Sequence, residues 1–92
     1  MYTFLVSENL IEKLKRLSKK SKPLHEQVIK KINEIVNSSD IEHYKNLSYN
    51  LKDSKRVHIG HFVLVFQFNK STNTIYFDDF DHHDIIYKKR FG

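Results

Sequence analysis

A chain of 92 residues has the length of one domain and can bury only one modest hydrophobic core. The absence of cysteine excludes a disulfide framework, thiolate zinc sites and a cysteine nucleophile. The formal net charge of +5 favours polyanionic or acidic partners. No apolar run approaches the roughly 18 residues of a membrane span, and the apolar N-terminus lacks the basic start of a signal peptide. We therefore expect a single cytoplasmic domain, residues 1–92, with a shallow site and no membrane partner.

The first half of the chain predicts a short strand followed by two helices. Residues 1–6 are apolar, and Ser7 has the residue type of an N-cap. Apolar residues then recur at helical spacing, with lysines and arginines on the opposite face. Ser21-Lys22-Pro23 breaks this helix, and either Ser21 or Lys22 is expected to cap a second helix, whose apolar stripe stops at Asn37. Two amphipathic helices joined by a short break predict an antiparallel helical hairpin.

The second half changes to strand-like spacing. Residues 40–54 are mostly polar, and we interpret them as a loop packed on the core. Polarity alternates from residue 55, Gly60 and His61 fit a two-residue type II′ turn, and residues 62–68 are apolar on both faces, as in a central strand.

A further strand is predicted to open at Thr74, and Asp81 is expected to cap a short helix near the C-terminus. The sequence thus predicts an α+β fold with an N-terminal strand, an antiparallel helical hairpin on one face of the sheet, a three-strand antiparallel meander and a short C-terminal helix.

Four of the six histidines lie at positions 58, 61, 82 and 83. Imidazole suits proton transfer near neutral pH, and alternation along the strand places Arg56 on the same face as His58. A following strand can bring His82 and His83 alongside that face. Cleaving RNA by attack of its own 2′-hydroxyl requires a base, an acid and a cation for the phosphorane charge. Two of these histidines with Arg56 could supply all three.

The same residues also have structural interpretations. Asp81 and Asp84 fit a capping-box-like arrangement, Tyr87 could be a core aromatic with an exposed hydroxyl, and His61 is expected to be a turn residue only. A metal site is disfavoured because neighbouring residues on a turn point in different directions and no His pair has i, i+4 spacing. Twelve of the sixteen cations lie between Lys13 and Arg56. This stripe could bind RNA, attract an acidic protein or be a solvated helix face.

Two segments resemble the RelE/ParE toxin superfamily, whose strand–turn–strand signature reads roughly Arg-apolar-Arg-apolar-Gly-Asp-Tyr-Arg-apolar-apolar-Tyr. The segment similar to this signature is Arg56-Val57-His58-Ile59-Gly60-His61-Phe62-Val63-Leu64-Val65-Phe66. The segment similar to the family's His-Arg-x-x-x-Tyr ending is His82-His83-Asp84-Ile85-Ile86-Tyr87. The predicted order of strands and helices also matches, so the resemblance covers nearly the whole chain.

The resemblance implies a toxin of a type II toxin–antitoxin pair, acting as a ribosome-dependent mRNA endonuclease that inhibits translation. The implied partners are a cognate antitoxin, the ribosome and mRNA, with no metal and no cofactor. Arg56 keeps the family's basic residue, and His58 stands where a second basic residue usually is. Gly60 keeps the turn, His82 keeps the motif histidine, and Tyr87 keeps the aromatic that stacks on a base or assists proton transfer. The predicted catalytic residues are Arg56, His58, His82, His83 and Tyr87. The predicted RNA-binding residues are Lys13, Arg16, Lys19, Lys20, Lys52 and Lys55.

Two positions depart from the family pattern. Val63 and His83 stand where the family commonly has arginines, so the predicted site is poorer in arginine and richer in histidine. Lys52 and Lys55 could supply part of the missing charge. The alternatives left open are a ParE-like, gyrase-directed protein binder, an inactive homologue that binds only its antitoxin, and an RNA-binding module without toxicity. The sequence does not assign base and acid among the catalytic residues.

Overall fold

The structure is a computed structural model that describes residues 2–48 and 51–91. One mixed sheet carries two helices on its inner face and one on its outer face. The elements are β1 (Thr3–Val6), α1 (Glu8–Lys20), α2 (Lys22–Val36), a 3₁₀ turn (Ile41–His43), β2 (Asn46–Ser48), β3 (Leu51–Ile59), β4 (Phe62–Asn69), β5 (Thr74–His82) and α3 (His83–Phe91). The predicted α+β fold, with its helical hairpin and C-terminal helix, is confirmed.

Two serines define the helical hairpin. The Ser7 hydroxyl accepts a hydrogen bond from the Leu10 amide at 3.0 Å and so caps α1, while it donates to the Asp78 carbonyl at 2.6 Å. The Ser21 amide donates to the Leu17 carbonyl at 2.8 Å, and the Ser21 hydroxyl accepts from the Leu24 amide at 3.4 Å. Ser21 therefore ends α1 and, of the two candidates Ser21 and Lys22, is the residue that caps α2.

The sheet has the order β1-β5-β4-β3-β2. Strands β3, β4 and β5 form the predicted antiparallel meander, and β1 adds to it in parallel beside β5. The turn between β3 and β4 has Gly60 at φ 61°, whereas His61 keeps a negative φ, as a type II′ turn requires. The predicted turn is confirmed.

The interpretation of residues 40–54 as a loop is wrong. This stretch contains the 3₁₀ turn, the whole of β2 and the start of β3, with Asn46 paired to Lys55 and Ser48 to Leu51. Strand β2 is a three-residue edge strand, which is too short to show a period and can be polar because only one neighbour pairs with it. Tyr44 does anchor this stretch, since its ring packs edge-on against Phe66 with centroids 5.6 Å apart.

The prediction that Asp81 caps the C-terminal helix is also wrong. Strand β5 continues through His82, so Asp81 is a strand residue whose carboxylate accepts from the His82 amide and from Lys13 Nζ, both at 2.8 Å. His82 takes the capping position, where its Nδ1 accepts from the Asp84 amide at 3.2 Å. The reason is that β5 pairs with β4 up to the pair of His82 with Phe62, so the strand includes Asp81, the polar residue that suggested a cap.

The inner face of the sheet holds the main core. Fully buried residues from both helices meet alternate residues of the central strands, and Leu10, Val28, Ile35, Leu64, Phe66, Ile75 and Phe77 have no exposed surface. The outer face holds a small second cluster, formed by Val63, Val65 and Ile86 with Tyr87 packed against it. No helix within the described ranges is long and apolar enough to cross a membrane.

Candidate active site

The outer cluster positions the N-terminal turn of α3 over the sheet. Ile86 is fully buried against Val63 and Val65, while its neighbour Ile85 is 45% exposed. This apolar anchor fixes the rotation of α3 about its axis. His83 and Tyr87, spaced four residues apart, therefore lie on one side of the helix. The sequence departure at position 63 has a packing role here, because Val63 supports Ile86 where an arginine would carry charge.

Three rings form a continuous group on this face. The His58 and His83 rings are stacked, with centroids 5.8 Å apart and planes inclined by 24°. The His83 and Tyr87 rings follow at 4.5 Å. His58 pairs with Val63 across β3 and β4, so the strand register brings it next to the anchor of α3. The structure thus brings together three of the five predicted catalytic residues through ring contacts.

Arg56 lies on the same face of β3 as His58, opposite Val65. The partial desolvation of the His58 ring lowers its pKa, and the charges of Arg56 and His83 lower it further. Within the described residues Arg56 forms no ion pair, and its Nε is a buried donor without a hydrogen-bond partner. The charge of Arg56 can therefore act on an anion bound beside His58. The lowered pKa favours the neutral, proton-accepting form of the His58 imidazole.

The fifth predicted residue, His82, lies in a different cluster. Its ring stacks on His61 at 6.3 Å and meets Phe62 edge-on at 5.8 Å. The His61 carbonyl also accepts a hydrogen bond from the His83 amide at 2.9 Å, which joins the turn to the start of α3. His61 therefore does more than the turn role expected from the sequence, and His82 acts as the cap of α3. In the sequence, the contact between His61 and His82 is indicated only by the fact that both residues are histidines.

The predicted RNA-binding cations differ in what they contact. Lys13 is tied into the fold, since its Nζ donates to Asp79 at 2.7 Å and to Asp81 at 2.8 Å. Lys55 donates to the Tyr44 carbonyl at 3.1 Å. The side chain of Lys52 lies outside the described residues. The cations that are exposed and form no ion pair with described residues are Arg16, Lys19 and Lys20.

A buried carboxylate that the sequence prediction missed links α1, β5 and α3. Asp79 is 4% exposed, and one of its oxygens accepts from Lys13 Nζ at 2.7 Å, Asn9 Nδ2 at 3.1 Å and the Phe80 amide at 2.8 Å. Its second oxygen accepts from Lys89 Nζ at 3.2 Å. Burial would raise the pKa of Asp79, but the hydrogen bond and charge of Lys13 outweigh it and hold the pKa below its usual value. The available signal was an acidic residue directly before Phe80, within a strand that also carries apolar residues.

The described residues contain no group of three or more histidine and acidic side chains arranged to hold a metal ion. The outer face itself places two adjacent imidazoles, a phenol and a guanidinium beside one another on an open surface.

Comparison with known proteins identifies the family. No family model matches the chain. The chain is 45% identical over 91 residues to a Methanocaldococcus jannaschii protein assigned by name as toxin RelE4, covering 98% of this chain and 95% of that protein. The fold matches the isolated E. coli RelE toxin with a TM-score of 0.71 and 18% identity, over 98% of this chain and 95% of that one. It matches the toxin in the intact E. coli RelBE toxin–antitoxin complex with a TM-score of 0.72 and 19% identity, over 89% and 96%.

The two structural matches establish the fold, and the archaeal relative extends the likeness to sequence over nearly the full length of both proteins. The chain belongs to the RelE toxin family of the RelE/ParE superfamily.

Proposed function

We propose that this chain is the toxin of a toxin–antitoxin pair and that it cleaves messenger RNA on the ribosome, which inhibits translation. The observation that carries the proposal is the contact of His58, His83 and Tyr87 on the outer face, with the charge of Arg56 close enough to lower the pKa of His58. Membership of a toxin family and the match to RelE in a toxin–antitoxin complex support the same function.

In the proposed reaction the 2′-oxygen of the RNA attacks the adjacent phosphorus and the bond from phosphorus to the 5′-oxygen breaks. The proton of the 2′-hydroxyl passes to a base, and the 5′-oxygen takes a proton from an acid. The products are a 2′,3′-cyclic phosphate and a 5′-hydroxyl end, with no further reactant consumed. Arg56 stabilises the charge that develops on the phosphorane.

His58 is the base and His83 the acid in this scheme. Partial burial, the charge of Arg56 and the charge of His83, whose ring stacks at 5.8 Å, all lower the pKa of His58, so His58 is given the role of proton acceptor. His83 is the other imidazole of the stack and is given the role of the acid. Tyr87 packs on His83 and on the outer cluster, where it orients the acid and offers a ring for an unstacked base.

The remaining partners follow from charge and from the family. Arg16, Lys19 and Lys20 of α1 are the cations that we propose to contact RNA, since α1 leaves them exposed. A cognate antitoxin is proposed as the inhibitory partner, by analogy with the E. coli RelBE complex. No cofactor is needed, because the nucleophile belongs to the substrate.

The test is a set of single variants expressed without antitoxin. His58→Ala, His83→Ala and Tyr87→Ala should each relieve growth arrest and reduce new transcript ends on translating ribosomes, by about 10²-fold or more for the two imidazoles. His25→Ala is the matched control, since His25 lies on α2 away from the outer face. Binding of the antitoxin should persist in every variant. Full toxicity of all three site variants would rule out the nuclease and leave a non-catalytic protein binder.

The pH dependence of cleavage tests the assignment of the base. A base must be deprotonated to act, so the rate should rise with pH through an apparent pKa below 6.5, because the pKa of His58 is lowered from that value. Changing Arg56 to Gln removes one lowering charge and should move this limb to higher pH. If the cleavage rate of Arg56→Gln rises at the same pH as that of the wild type, the base is a group other than His58.

A further inference from the structure

A basic and aromatic groove lies on the inner side of the same end of the sheet. It has a volume of about 330 Å³ and is formed where α1 crosses the start of β4 and the end of β5. Phe62 and Phe80 line it from the sheet, with their rings stacked at 5.2 Å and inclined by 13°. Arg16 and Lys20, one helical turn apart, line it from α1.

The charges around the groove are unequal. Lys13 and Asp81 lie at its border, but they are bonded to each other at 2.8 Å, so their charges largely compensate. Arg16 and Lys20 have no carboxylate within ion-pair distance among the residues that the structure describes. The groove therefore has an uncompensated positive side opposite an aromatic side, which is the combination that binds a nucleotide through its phosphate and its base.

Two groups of aromatic rings lie at this end of the sheet, one beside the groove and one in the candidate active site. On the inner side, the ring centroids of Phe62 and His82 are 5.8 Å apart, and those of His82 and His61 are 6.3 Å apart. On the outer side, His83 contacts His58 at 5.8 Å. The two sides meet where the His83 amide donates to the His61 carbonyl at 2.9 Å. One backbone hydrogen bond thus joins the two groups of rings at the end of the sheet, one group on the outer face and the other beside the groove.

We propose that the groove is a subsite for a nucleotide of single-stranded RNA that flanks the scissile phosphate, with its base on Phe62 and its phosphate between Arg16 and Lys20. The proposal rests on the proposed nuclease function for the identity of the strand. The strand passes around the end of the sheet, over His82 and His61, so that the phosphate held beside His58 and the nucleotide in the groove belong to one short segment. Bases splayed onto successive rings provide affinity with little sequence preference.

The first experiment measures binding without cleavage. The probe is a four-nucleotide RNA with 2′-deoxy sugars at its first three positions, so that no 2′-hydroxyl lies next to a phosphate, titrated into the isotope-labelled protein and followed by NMR. In the wild type, the resonances of Phe62 and Phe80 should shift together with those of His58 and His83. A dinucleotide should shift only the outer group. If the tetranucleotide shifts the outer group and leaves Phe62 and Phe80 unchanged, the subsite does not exist.

The matched variants separate a site from general attraction. The double variant Arg16→Ala, Lys20→Ala should weaken binding of the tetranucleotide about tenfold. The slope of the logarithm of the binding constant against the logarithm of the salt concentration should become shallower by roughly 0.7 for each phosphate contact removed. Lys15→Ala with Lys22→Ala removes the same charge from exposed positions and should change the affinity less than twofold. Equal weakening by both pairs would reduce the groove to general electrostatics. Displacement of the RNA from the groove by an acidic peptide at equal concentration would assign the groove to a protein partner instead.

The two proposals can fail separately. If wild-type protein leaves messages intact on translating ribosomes but the tetranucleotide still shifts Phe62 and Phe80, the nuclease function is wrong and the subsite stands. If the wild type cleaves and the groove variants cleave with unchanged rate and half-saturating RNA concentration, the function stands and the subsite is wrong.

Discussion

The two faces of the sheet differ in what holds them together. The inner face is closed by two helices over a set of residues that includes Leu10, Ile35, Phe66 and Phe77, all without exposed surface. The outer face has one helix, anchored by Ile86, and its remaining contacts involve imidazoles, a phenol and ion pairs. Stability is therefore concentrated on the inner face, and chemistry is offered on the outer one. Residues of the outer face can change with less cost to the fold.

The largest loss should come from the inner face. Phe77 is fully buried and packs against Phe66 with ring centroids 5.8 Å apart. Phe77→Ala should lower the free energy of unfolding by about 3–5 kcal/mol, because it removes a large apolar side chain and leaves a cavity. Such a loss is a large share of the roughly 5–15 kcal/mol that stabilises a typical domain. Urea denaturation measures it, and Ile85→Ala, at a 45% exposed position, is the control that should cost little. A comparable loss in both variants would contradict the concentration of stability on the inner face.

Loss of the outer anchor should affect α3 more than the whole fold. Ile86→Ala should cost about 2 kcal/mol, at the low end for a buried isoleucine, since α3 can detach while the inner core stays closed. Hydrogen exchange should become fast in α3 and stay slow in β4, and cleavage should fall more than the midpoint of unfolding does. If β4 and α3 lose protection together, the two faces unfold as one unit.

The Asp79 hub joins the two faces, because it contacts Lys13 on α1 and Lys89 on α3. Asp79→Asn should lower the free energy of unfolding at neutral pH by about 1.5 kcal/mol, the value of hydrogen bonds to a charged group. The pKa of Asp79 is lower in the folded state, so the unfolded state takes up its proton first as the pH falls. The stability that the carboxylate contributes is thus present above its ordinary value of 3.8 and is lost as the pH falls through the folded-state pKa.

The difference in stability between wild type and Asp79→Asn should accordingly shrink between pH 5 and pH 2 in urea denaturation. Lys89→Ala is the control, because it removes only the contact of Asp79 with α3. Lys89 is half exposed, so its loss should lower the free energy of unfolding by less than about 0.5 kcal/mol. A difference that stays constant down to pH 2 would mean that the charge of Asp79 contributes nothing.

Local signals in the sequence were sufficient for most of the fold. Ser7 and Ser21 have the residue types of caps, residues 62–68 are apolar on both faces, and Gly60 marks the turn; each depends on neighbours in the chain. The edge strand β2 and the last part of β5 could not be found in this way. Both are held by hydrogen bonds to other strands, and their residues are too few and too polar for periodicity to reveal them.

The candidate site divides along the same line. Strand alternation predicts that Arg56 lies on the same face as His58, and the structure agrees. The contact of His83 with Tyr87 was not predicted from spacing, because it depends on α3 beginning at His83. His82 is grouped with them by the resemblance to the family's His-Arg-x-x-x-Tyr ending. Strand β5 ends at His82 and α3 begins at His83, so their rings lie in different clusters. Asp79 was missed because its partner Lys13 lies 66 positions away in the chain. Catalytic roles for the grouped residues stay a prediction.

The smallest effect is expected at the turn that both faces share. Gly60 has φ 61°, a conformation that costs a residue with a Cβ about 1 kcal/mol, whereas no atom lies within 4 Å of a Cβ added there. Gly60→Ala should therefore destabilise by backbone strain alone, and Gly60→Asn should cost less because asparagine tolerates this region. The turn also presents the His61 carbonyl to the His83 amide, so strain there should loosen the start of α3 before it loosens the inner core. Urea denaturation with hydrogen exchange at His83 measures both, and equal costs for alanine and asparagine would show that the turn is not held at positive φ in solution.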